Sequence, residues 1–299
     1  MFDIDLPYDR GRMHLSLPDE SVVGVLAGKQ GDFTPDAGQE ELVERALDTP
    51  YDSPTLEQLC QGKRDIVIIS SDHTRPVPSR VTMPILLRRI HAAAPEAHVR
   101  ILVATGMHRA STHEELVDKY GERIVAEEEI VMHVATDDEA MVAIGTLPSG
   151  GECIINRIAA EADLLLAEGF IEPHFFAGFS GSRKSVLPGV ASYKTIMYNH
   201  NGQFVHDPRS RAGIIEGNRV HDDMMAAAEM AGLAFILNVV LDGEHRVIGR
   251  SRVTSMRRTR RAATLYAGSP ACAPWTATLP SPPTAATRST RTSTRPSRV

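Results

Sequence analysis

The segment from residue 172 to 200, EPHFFAGFSGSRKSVLPGVASYKTIMYNH, contains several side chains that can do chemistry. His174 and His200 carry imidazoles, which titrate near neutral pH, and Lys184 carries an amine that is nucleophilic once deprotonated. Glycines between them allow the backbone to turn sharply or to approach a ligand closely. A packing core has little use for this mixture. The segment therefore indicates a site that holds an anionic group near a nucleophilic amine and imidazoles.

Polar motifs follow three apolar runs, each of which is typical of a buried parallel strand. The run Asp65–Ser71 is followed by Asp72, His73 and Arg75. The run His98–Thr105 is followed by His108 and Arg109, and the run Asp163–Ala167 is followed by His174. In open α/β sheets, ligands bind beyond the carboxyl ends of the strands. Three polar motifs at three such ends should converge, which favours an enzyme.

The remaining patterns predict the elements that position these motifs. Helical periodicity covers Arg80–Ala94, His113–Glu129 and Arg219–Ala231, and a fourth strand-like run covers Phe235–Leu241. Alternation of strands and helices predicts an α/β fold with a largely parallel, Rossmann-like sheet and flanking helices. At the N-terminus we expect a β-hairpin within Phe2–Pro18, turning at residues 9–11, and a short strand at Ser21–Ala27.

Composition sets limits on the class of protein. The 299 residues are 42% hydrophobic and 23% charged, and no apolar run approaches the roughly 20 residues of a membrane span. The first residues, MFDIDLPYDRGR, lack the basic and apolar regions of a signal peptide. The three cysteines, Cys60, Cys153 and Cys272, have no metal-like spacing. We expect a cytoplasmic protein with reduced thiols.

The last 49 residues, 251–299, differ from the rest. Forty of them are Thr, Ala, Arg, Ser or Pro, and they include nine arginines and no acidic residue. The first 250 residues carry 23 basic and 38 acidic side chains, a net charge of −15 that argues against nucleic-acid binding. The tail has the composition of a GC-rich gene read out of frame. Codons for Ser281–Arg298 can be chosen so that the same nucleotides, read in a neighbouring frame, encode ITSNGGYPLDQNVYQAVK. We predict a domain at 1–250 and an out-of-frame, disordered tail at 251–299.

Two other classes of enzyme, nucleoside triphosphatases and zinc hydrolases, have partly similar motifs. The glycines of FSGSRKS are too close together for a P-loop, which disfavours a nucleoside triphosphatase. His108, His174 and His200 could instead form a three-histidine zinc site of a hydrolase. We interpret five other histidines (His73, His113, His133, His206 and His221) as surface or capping groups. Asp222 and Asp223 are interpreted as acids that favour a helix N-terminus.

Together these motifs closely resemble the nickel-dependent lactate racemase family. The resemblance covers residues 1 to about 250 and rests on SSDHTRPVPS at 70–79, ATGMHR at 104–109, EPHFFAGFSGSRKSVLPG at 172–189 and NH at 199–200. The out-of-frame string GGYPLDQNVYQAVK also resembles a further motif of the family. The resemblance implies a racemase or epimerase that acts on lactate or a related 2-hydroxy acid.

The resemblance also implies a cofactor and residue roles. The family uses a nickel-pincer nucleotide, the pyridinium-3-thioamide-5-thiocarboxylic acid mononucleotide, which implies cofactor-synthesis enzymes as partners. Lys184 would be its covalent tether and His200 the protein ligand of nickel, an ion for which imidazole is suitable. His108 and His174 would be the acid/base pair, with hydride passing to the cofactor. Asp72 would line the cofactor pocket, and Arg75 would bind the substrate carboxylate.

The tail is a departure from the family pattern. If it is out of frame, the family's second domain, which would close over the site, is missing from this polypeptide. We then expect impaired activity, and a non-catalytic product that retains only cofactor or partner binding is the alternative. The pattern does not identify which 2-hydroxy acid is the substrate.

Overall fold

The computed structural model describes residues 1–8, 11–25, 33–51, 53–248 and 252–254. Residues 1–25 belong to one compact unit and residues 33–254 to another. The first unit contains the predicted hairpin, in which β1 (Phe2–Tyr8) pairs antiparallel with β2 (Gly11–Leu17). The strand predicted at Ser21–Ala27 is wrong over its described part. Ser21 ends a single 3-10 turn that begins at Asp19, and residues 22–25 have no strand pairing.

The second unit is built on a sheet of five parallel strands with one antiparallel strand at its edge. The strands, in sheet order, are β12 (Arg252–Thr254), β11 (Leu233–Val239), β8 (Leu164–Phe170), β3 (Asp65–Ser71), β4 (His98–Ala104) and β5 (Glu129–Met132). The predicted parallel, Rossmann-like α/β class is confirmed. β12 lies within the segment predicted to be an out-of-frame tail, and the rest of that segment lies outside the described residues.

The order of the strands identifies where a ligand would bind. The chain moves outward from β3 to β4 and β5, then returns to place β8 on the other side of β3, followed by β11. The direction of winding therefore reverses between β3 and β8. Such a switch point opens a crevice beyond the carboxyl ends of the two strands. Asp72 directly follows β3, and His174 lies four residues beyond β8.

Helices cover both faces of the sheet, which explains why its strands are apolar throughout. Ile66 and Ile68 of β3 pack with one group of helices, while Val67 and Ile69 pack with another. The helices are α1 (Gln39–Asp48), α2 (Leu56–Cys60), α3 (Ser79–Ala93), α4 (His113–Tyr120) and α5 (Glu122–Glu127) on the first face, and α6 (Arg157–Ala160), α7 (Tyr193–Asn199), α8 (Gly202–Val205) and α9 (Arg219–Met230) on the second. The strands β11, β8, β3 and β4 thus bury residues on both of their faces, whereas β5, at the edge, has no fully buried residue.

Two short hairpins complete the unit. β6 (Met141–Thr146) pairs with β7 (Glu152–Asn156), and β9 (Pro173–His174) pairs with β10 (Gly178–Phe179). The single helix predicted at His113–Glu129 is instead two helices. Gly121, at φ +90°, ends α4 and begins α5, because only glycine readily adopts that backbone angle. No helix in the described part of the chain is long and apolar enough to cross a membrane.

Candidate active site

The loop after β3 joins Asp72 to His108. Asp72 is fully buried, and its Oδ2 lies 2.6 Å from Nδ1 of His108. Its other oxygen accepts hydrogen bonds from the amide and the hydroxyl of Thr74. Because a carboxylate only accepts hydrogen bonds, Nδ1 of His108 carries the proton and Nε2 keeps its lone pair. Asp72 was predicted to line the cofactor pocket, and in this structure its carboxylate is engaged by His108.

The loop after β8 joins His174 to Lys184. The β9–β10 hairpin turns so that the amide of Ala177 donates to Nδ1 of His174 at 3.2 Å. Nε2 of the same ring lies 2.8 Å from Nζ of Lys184. Burial lowers the pKa of His174 to about 3, and the nearby charges of Lys184 and Arg183 act in the same direction.

A 3-10 turn at residues 182–185 presents Lys184, and Gly181 makes the turn possible. Gly181 has φ +75°, and a Cβ there would lie 2.7 Å from both the carbonyl of Phe170 and Oδ1 of Asn238. The turn therefore approaches the ends of β8 and β11 as closely as a backbone can. Burial lowers the pKa of Lys184 to about 7, and the positive charges of Arg183 and Arg75 lower it further.

His200 follows the last residue of α7 and is held by the residue before it. Asn199, fully buried, donates to Oδ2 of Asp223 on α9 at 3.1 Å, which anchors the end of the helix. Nδ1 of His200 is buried and has no hydrogen-bond partner. Burial lowers the pKa of this imidazole to about 4, and the charge of Lys184 lowers it further. The ring is therefore neutral at physiological pH, with a nitrogen lone pair available.

Phe176, which the sequence analysis did not single out, contacts three of the predicted residues. Its ring centroid lies 4.6 Å from that of His174 and 5.2 Å from that of His200, both edge to face. Nζ of Lys184 lies 5.8 Å from the same centroid. Phe176 thus brings together the three side chains that the 172–200 segment predicted to act as one site.

Arg75 lies in the loop after Asp72 and is exposed. Its guanidinium has no ion pair among the described residues, and its charge contributes to lowering the pKa of both His174 and Lys184. The carboxyl of Glu172, between β8 and β9, was also not predicted to belong to the site. Burial raises its pKa, and the charges of Arg75, His245 and Lys184 oppose the rise.

A buried network of hydrogen bonds connects the elements that carry the two loops, and the sequence did not predict it. Glu168, at the end of β8, accepts hydrogen bonds at Oε1 from Ser70 and Ser79, each at 2.6 Å, and at Oε2 from Thr82. These hydroxyls lie on β3 and on α3, and Tyr120 donates to Ser70 at 2.8 Å. One carboxylate therefore connects the strands that carry Asp72 and His174.

Two of the histidines interpreted as surface or capping groups are buried, and so is one of the two acids assigned to a helix N-terminus. His133 is 1% exposed, with Nε2 3.0 Å from the carbonyl of Ala191 and Nδ1 3.3 Å from Nδ2 of Asn156. Asp223 is fully buried and accepts from the amide and hydroxyl of Ser149 as well as from Asn199. His221 is likewise buried, whereas His113 and His206 are exposed as expected. The hydrogen-bond partners of His133 and Asp223 are distant in the sequence, so no local pattern reveals that these two side chains are buried.

Comparison with known proteins places this arrangement in a family. The sequence profile described as Lactate racemase N-terminal domain matches residues 8–213. The chain belongs to the lactate racemase family.

Two curated relatives are both described as lactate racemases. One, from Lactiplantibacillus plantarum, is 60% identical over 249 residues, covering 83% of this chain and 59% of the relative. The other, from Thermoanaerobacterium thermosaccharolyticum, is 50% identical over 248 residues, covering 83% of this chain and 58% of the relative. The chain thus spans somewhat more than half the length of these relatives.

Solved structures agree with this membership. The lactate racemase apoprotein from T. thermosaccharolyticum matches with a TM-score of 0.79 at 46% identity, covering 89% of this chain and 62% of that one. A protein from Thermotoga maritima matches with a TM-score of 0.64 at 22% identity, covering 79% and 60% respectively, which shows a shared fold alone.

The sequence predicted a nickel-containing cofactor, and the chemistry of two of the predicted residues is compatible with such a group. His200 offers a neutral imidazole with an unpartnered buried nitrogen, and Lys184 offers an amine whose pKa is lowered to about 7. By contrast, the three-histidine zinc alternative finds no support. Among the described residues, no three His, Cys, Asp or Glu side chains are grouped so as to hold a metal ion by themselves.

Proposed function

We propose that this chain racemises lactate or a closely related 2-hydroxy acid, using a nickel-pincer nucleotide tethered to Lys184 and ligated by His200. The observation that carries the proposal is the grouping of His174, Lys184 and His200 around Phe176, next to the switch point between β3 and β8. Membership in the lactate racemase family supports the substrate class. When bound, the nucleotide would supply a hydride acceptor for the carbon that carries the substrate hydroxyl.

His108 would be the base for one enantiomer. Its Nδ1 proton is committed to Asp72, so the lone pair on Nε2 is the one available to accept the hydroxyl proton. The buried carboxylate would stabilise the positive charge that develops on the ring as the proton arrives. Asp72 would therefore position and stabilise His108 instead of contacting the cofactor.

His174 would be the corresponding group for the other enantiomer. Racemisation needs a proton acceptor on each side of the substrate, because the hydroxyl groups of the two enantiomers point in different directions. An imidazole of ordinary pKa can both accept the proton and return it near neutral pH, whereas in the chain without cofactor burial lowers the pKa of His174 to about 3. Arg75 is exposed, carries no ion pair among the described residues and lies where its charge reaches His174, which suits binding of the substrate carboxylate.

The test is to produce the chain together with cofactor-synthesis enzymes and to measure nickel content, the mass of the peptide containing Lys184, and lactate racemisation by chiral chromatography. We expect about one nickel ion per chain, a mass increment on Lys184, and racemisation that depends on both the nickel and the modified lysine. Zinc in place of nickel, together with an unmodified Lys184, would refute the proposal.

Variants separate catalysis from cofactor binding. His108→Ala and His174→Ala should each abolish racemisation while nickel and the mass increment remain, whereas His200→Ala should lose nickel. A loaded chain with no racemase activity would favour the alternative of a non-catalytic product that only binds the cofactor. Retained racemisation in either His→Ala variant would refute the two-base scheme.

A further inference from the structure

Arg183 precedes Lys184 and is the largest fully buried side chain in the described residues, at 1% exposure. Its Nη2 donates to the carbonyls of Ala177 and Phe179, both at 2.8 Å, and its Nε is buried without a partner. Burial lowers its pKa to about 10, and no carboxylate among the described residues acts on it. The guanidinium remains protonated at neutral pH. A buried cation without a counterion is costly, so its position next to Lys184 calls for an explanation.

The hydrogen bonds of His174 determine the charge of the neighbouring amine. Nδ1 of His174 faces the N–H of Ala177 and must be the acceptor, so a neutral ring carries its proton on Nε2. That N–H points to Nζ of Lys184, 2.8 Å away, which can accept it only through a lone pair. An ammonium group has no lone pair. The geometry therefore requires Lys184 to be an uncharged amine.

The charged groups around Lys184 favour the same state. Burial is the largest cause of its lowered pKa, followed by the charge of Arg183 and then that of Arg75, and only Glu172 opposes them. His174 and His200 are partly buried, are neutral at physiological pH and add no counter-charge. Phe176, whose ring lies 5.8 Å from Nζ, would also favour a cation, and this contact is weak at that distance.

We propose that Arg183, together with the burial of the side chain, keeps the amine of Lys184 uncharged and thereby makes Lys184 a nucleophile in the chain before any cofactor is present. The amine would attack an activated acyl or thioacyl carbon, forming an amide or thioamide bond while the bond from that carbon to the leaving group breaks and one amine proton leaves with it. The proposal gives the tethering role a chemical basis. It rests on the proposed function for the identity of the natural acyl donor, and its test requires neither nickel nor lactate.

Trace acetylation measures the charge of each amine directly. The purified chain is treated with a small amount of an N-hydroxysuccinimide ester of acetic acid between about pH 6 and 11, and acetylation is quantified by peptide mass spectrometry. Lys194, with 69% of its side chain exposed, is the internal reference. We expect Lys184 acetylation to rise with a midpoint near pH 7, against about pH 10 for an exposed lysine. A Lys184 midpoint that coincides with that of Lys194 would overturn the proposal.

Variants at Arg183 separate its charge from its hydrogen bonds. Arg183→Met should move the Lys184 midpoint upward by about one pH unit, because a nearby like charge has been removed. Arg183→Lys keeps the charge but loses the forked donor to Ala177 and Phe179, so it should retain most of the low midpoint. Arg157→Met, at a half-exposed arginine on α6, is the matched control and should leave the midpoint unchanged.

The result remains informative if one variant folds poorly. Circular dichroism and the Lys194 midpoint report the integrity of each variant, and Arg183→Lys is tested alone if Arg183→Met unfolds. Equal upward shifts in folded Arg183→Met and Arg183→Lys would assign Arg183 a purely structural role and overturn the proposal. So would a midpoint near that of Lys194 in folded Arg183→Lys. An unchanged Lys184 midpoint in folded Arg183→Met would also overturn the proposal. Absence of racemisation in the parent chain, with its Lys184 midpoint near pH 7, would instead count against the proposed function alone.

Discussion

His108 and His174, the two imidazoles proposed as an acid/base pair, are held in opposite ways. His108 donates through Nδ1 to the buried carboxylate of Asp72, whereas His174 accepts at Nδ1 from a backbone amide and turns Nε2 toward an amine. In their neutral forms the two rings would thus be opposite tautomers. Sequence patterns treat them as equivalent histidines at strand ends. The structure shows that they are not interchangeable.

The difference has a consequence for when each imidazole can act. The lone pair on Nε2 of His108 needs no rearrangement to accept a proton. Both nitrogens of His174 are engaged, because Nε2–H is bonded to the lone pair of Lys184. Acylation of Lys184 would remove that lone pair, since an amide nitrogen is not an acceptor. Tethering a cofactor would therefore free the N–H at Nε2 of His174, and the proton would still have to move to Nδ1 before Nε2 could act as a base.

The largest effect is expected from Asp72→Asn, which breaks the arrangement on the His108 side. An asparagine can donate to Nδ1 and so favour the opposite tautomer of His108, which moves the lone pair away from the substrate. In protein that racemises lactate, we expect a fall in rate of about 10³- to 10⁴-fold, comparable to that of other His–Asp pairs. Nitrogen-15 NMR of the ring should show His108 losing its Nδ1–H form while His174 is unchanged.

The matched control for that change is Asp138→Asn, which alters an exposed carboxylate paired with Lys194. It should affect neither the rate nor the tautomer. Racemisation by Asp72→Asn within about threefold of the parent rate would mean that the carboxylate is not needed to position His108.

The part of this comparison that the sequence could predict was which elements and loops carry the two histidines. Continuous apolar runs such as Asp65–Ser71 predicted parallel strands, and ligand binding at their carboxyl ends predicted that the following loops converge. What could not be predicted was how each side chain is held. The partners are Asp72 for His108, Ala177 for His174 and Ser149 for Asp223, and their hydrogen bonds depend on the exact course of the loops.

Errors in the fold prediction have similar physical causes. The apolar residues 22–25 suggested a strand but have no partner strand, because strand pairing depends on the neighbours that the fold supplies. The long helical pattern at 113–129 continued through Gly121, whose positive φ the periodicity could not reveal. In both cases a local preference was overridden by tertiary structure.

A third imidazole separates the effect of burial from that of neighbouring cations. His133 is as deeply buried as any group in the site but contacts only Asn156 and the carbonyl of Ala191, and burial lowers its pKa to about 4. A group whose pKa is lowered on folding stabilises the protein above its unfolded pKa of about 6.5. That contribution is lost as the pH falls from about 6.5 to 4, and amounts to about 3 kcal/mol.

The change that tests this contribution is His133→Gln. The glutamine has no titrating group, so the free energy of unfolding should fall less steeply between pH 6.5 and 4 than in the parent chain. Urea denaturation at several pH values measures the slope, and His113→Gln, at an exposed position, is the control. An unchanged slope in His133→Gln would mean that the site imidazoles, flanked by Arg183 and Arg75, account for the acid sensitivity.

The smallest effect is expected from the aromatic rings that join the His174 side of the site to His200. Phe176 contacts both imidazoles edge to face, whereas Phe175, which is 75% exposed, stacks on His174 at 4.7 Å. Phe176→Leu should lower the free energy of unfolding by about 1 kcal/mol, the value of one or two aromatic contacts. In NMR spectra it should shift the ring signals of both His174 and His200, while Phe175→Leu shifts those of His174 alone. If Phe175→Leu disturbs His200 equally, Phe176 is not the contact that connects the proposed acid/base group to the proposed nickel ligand.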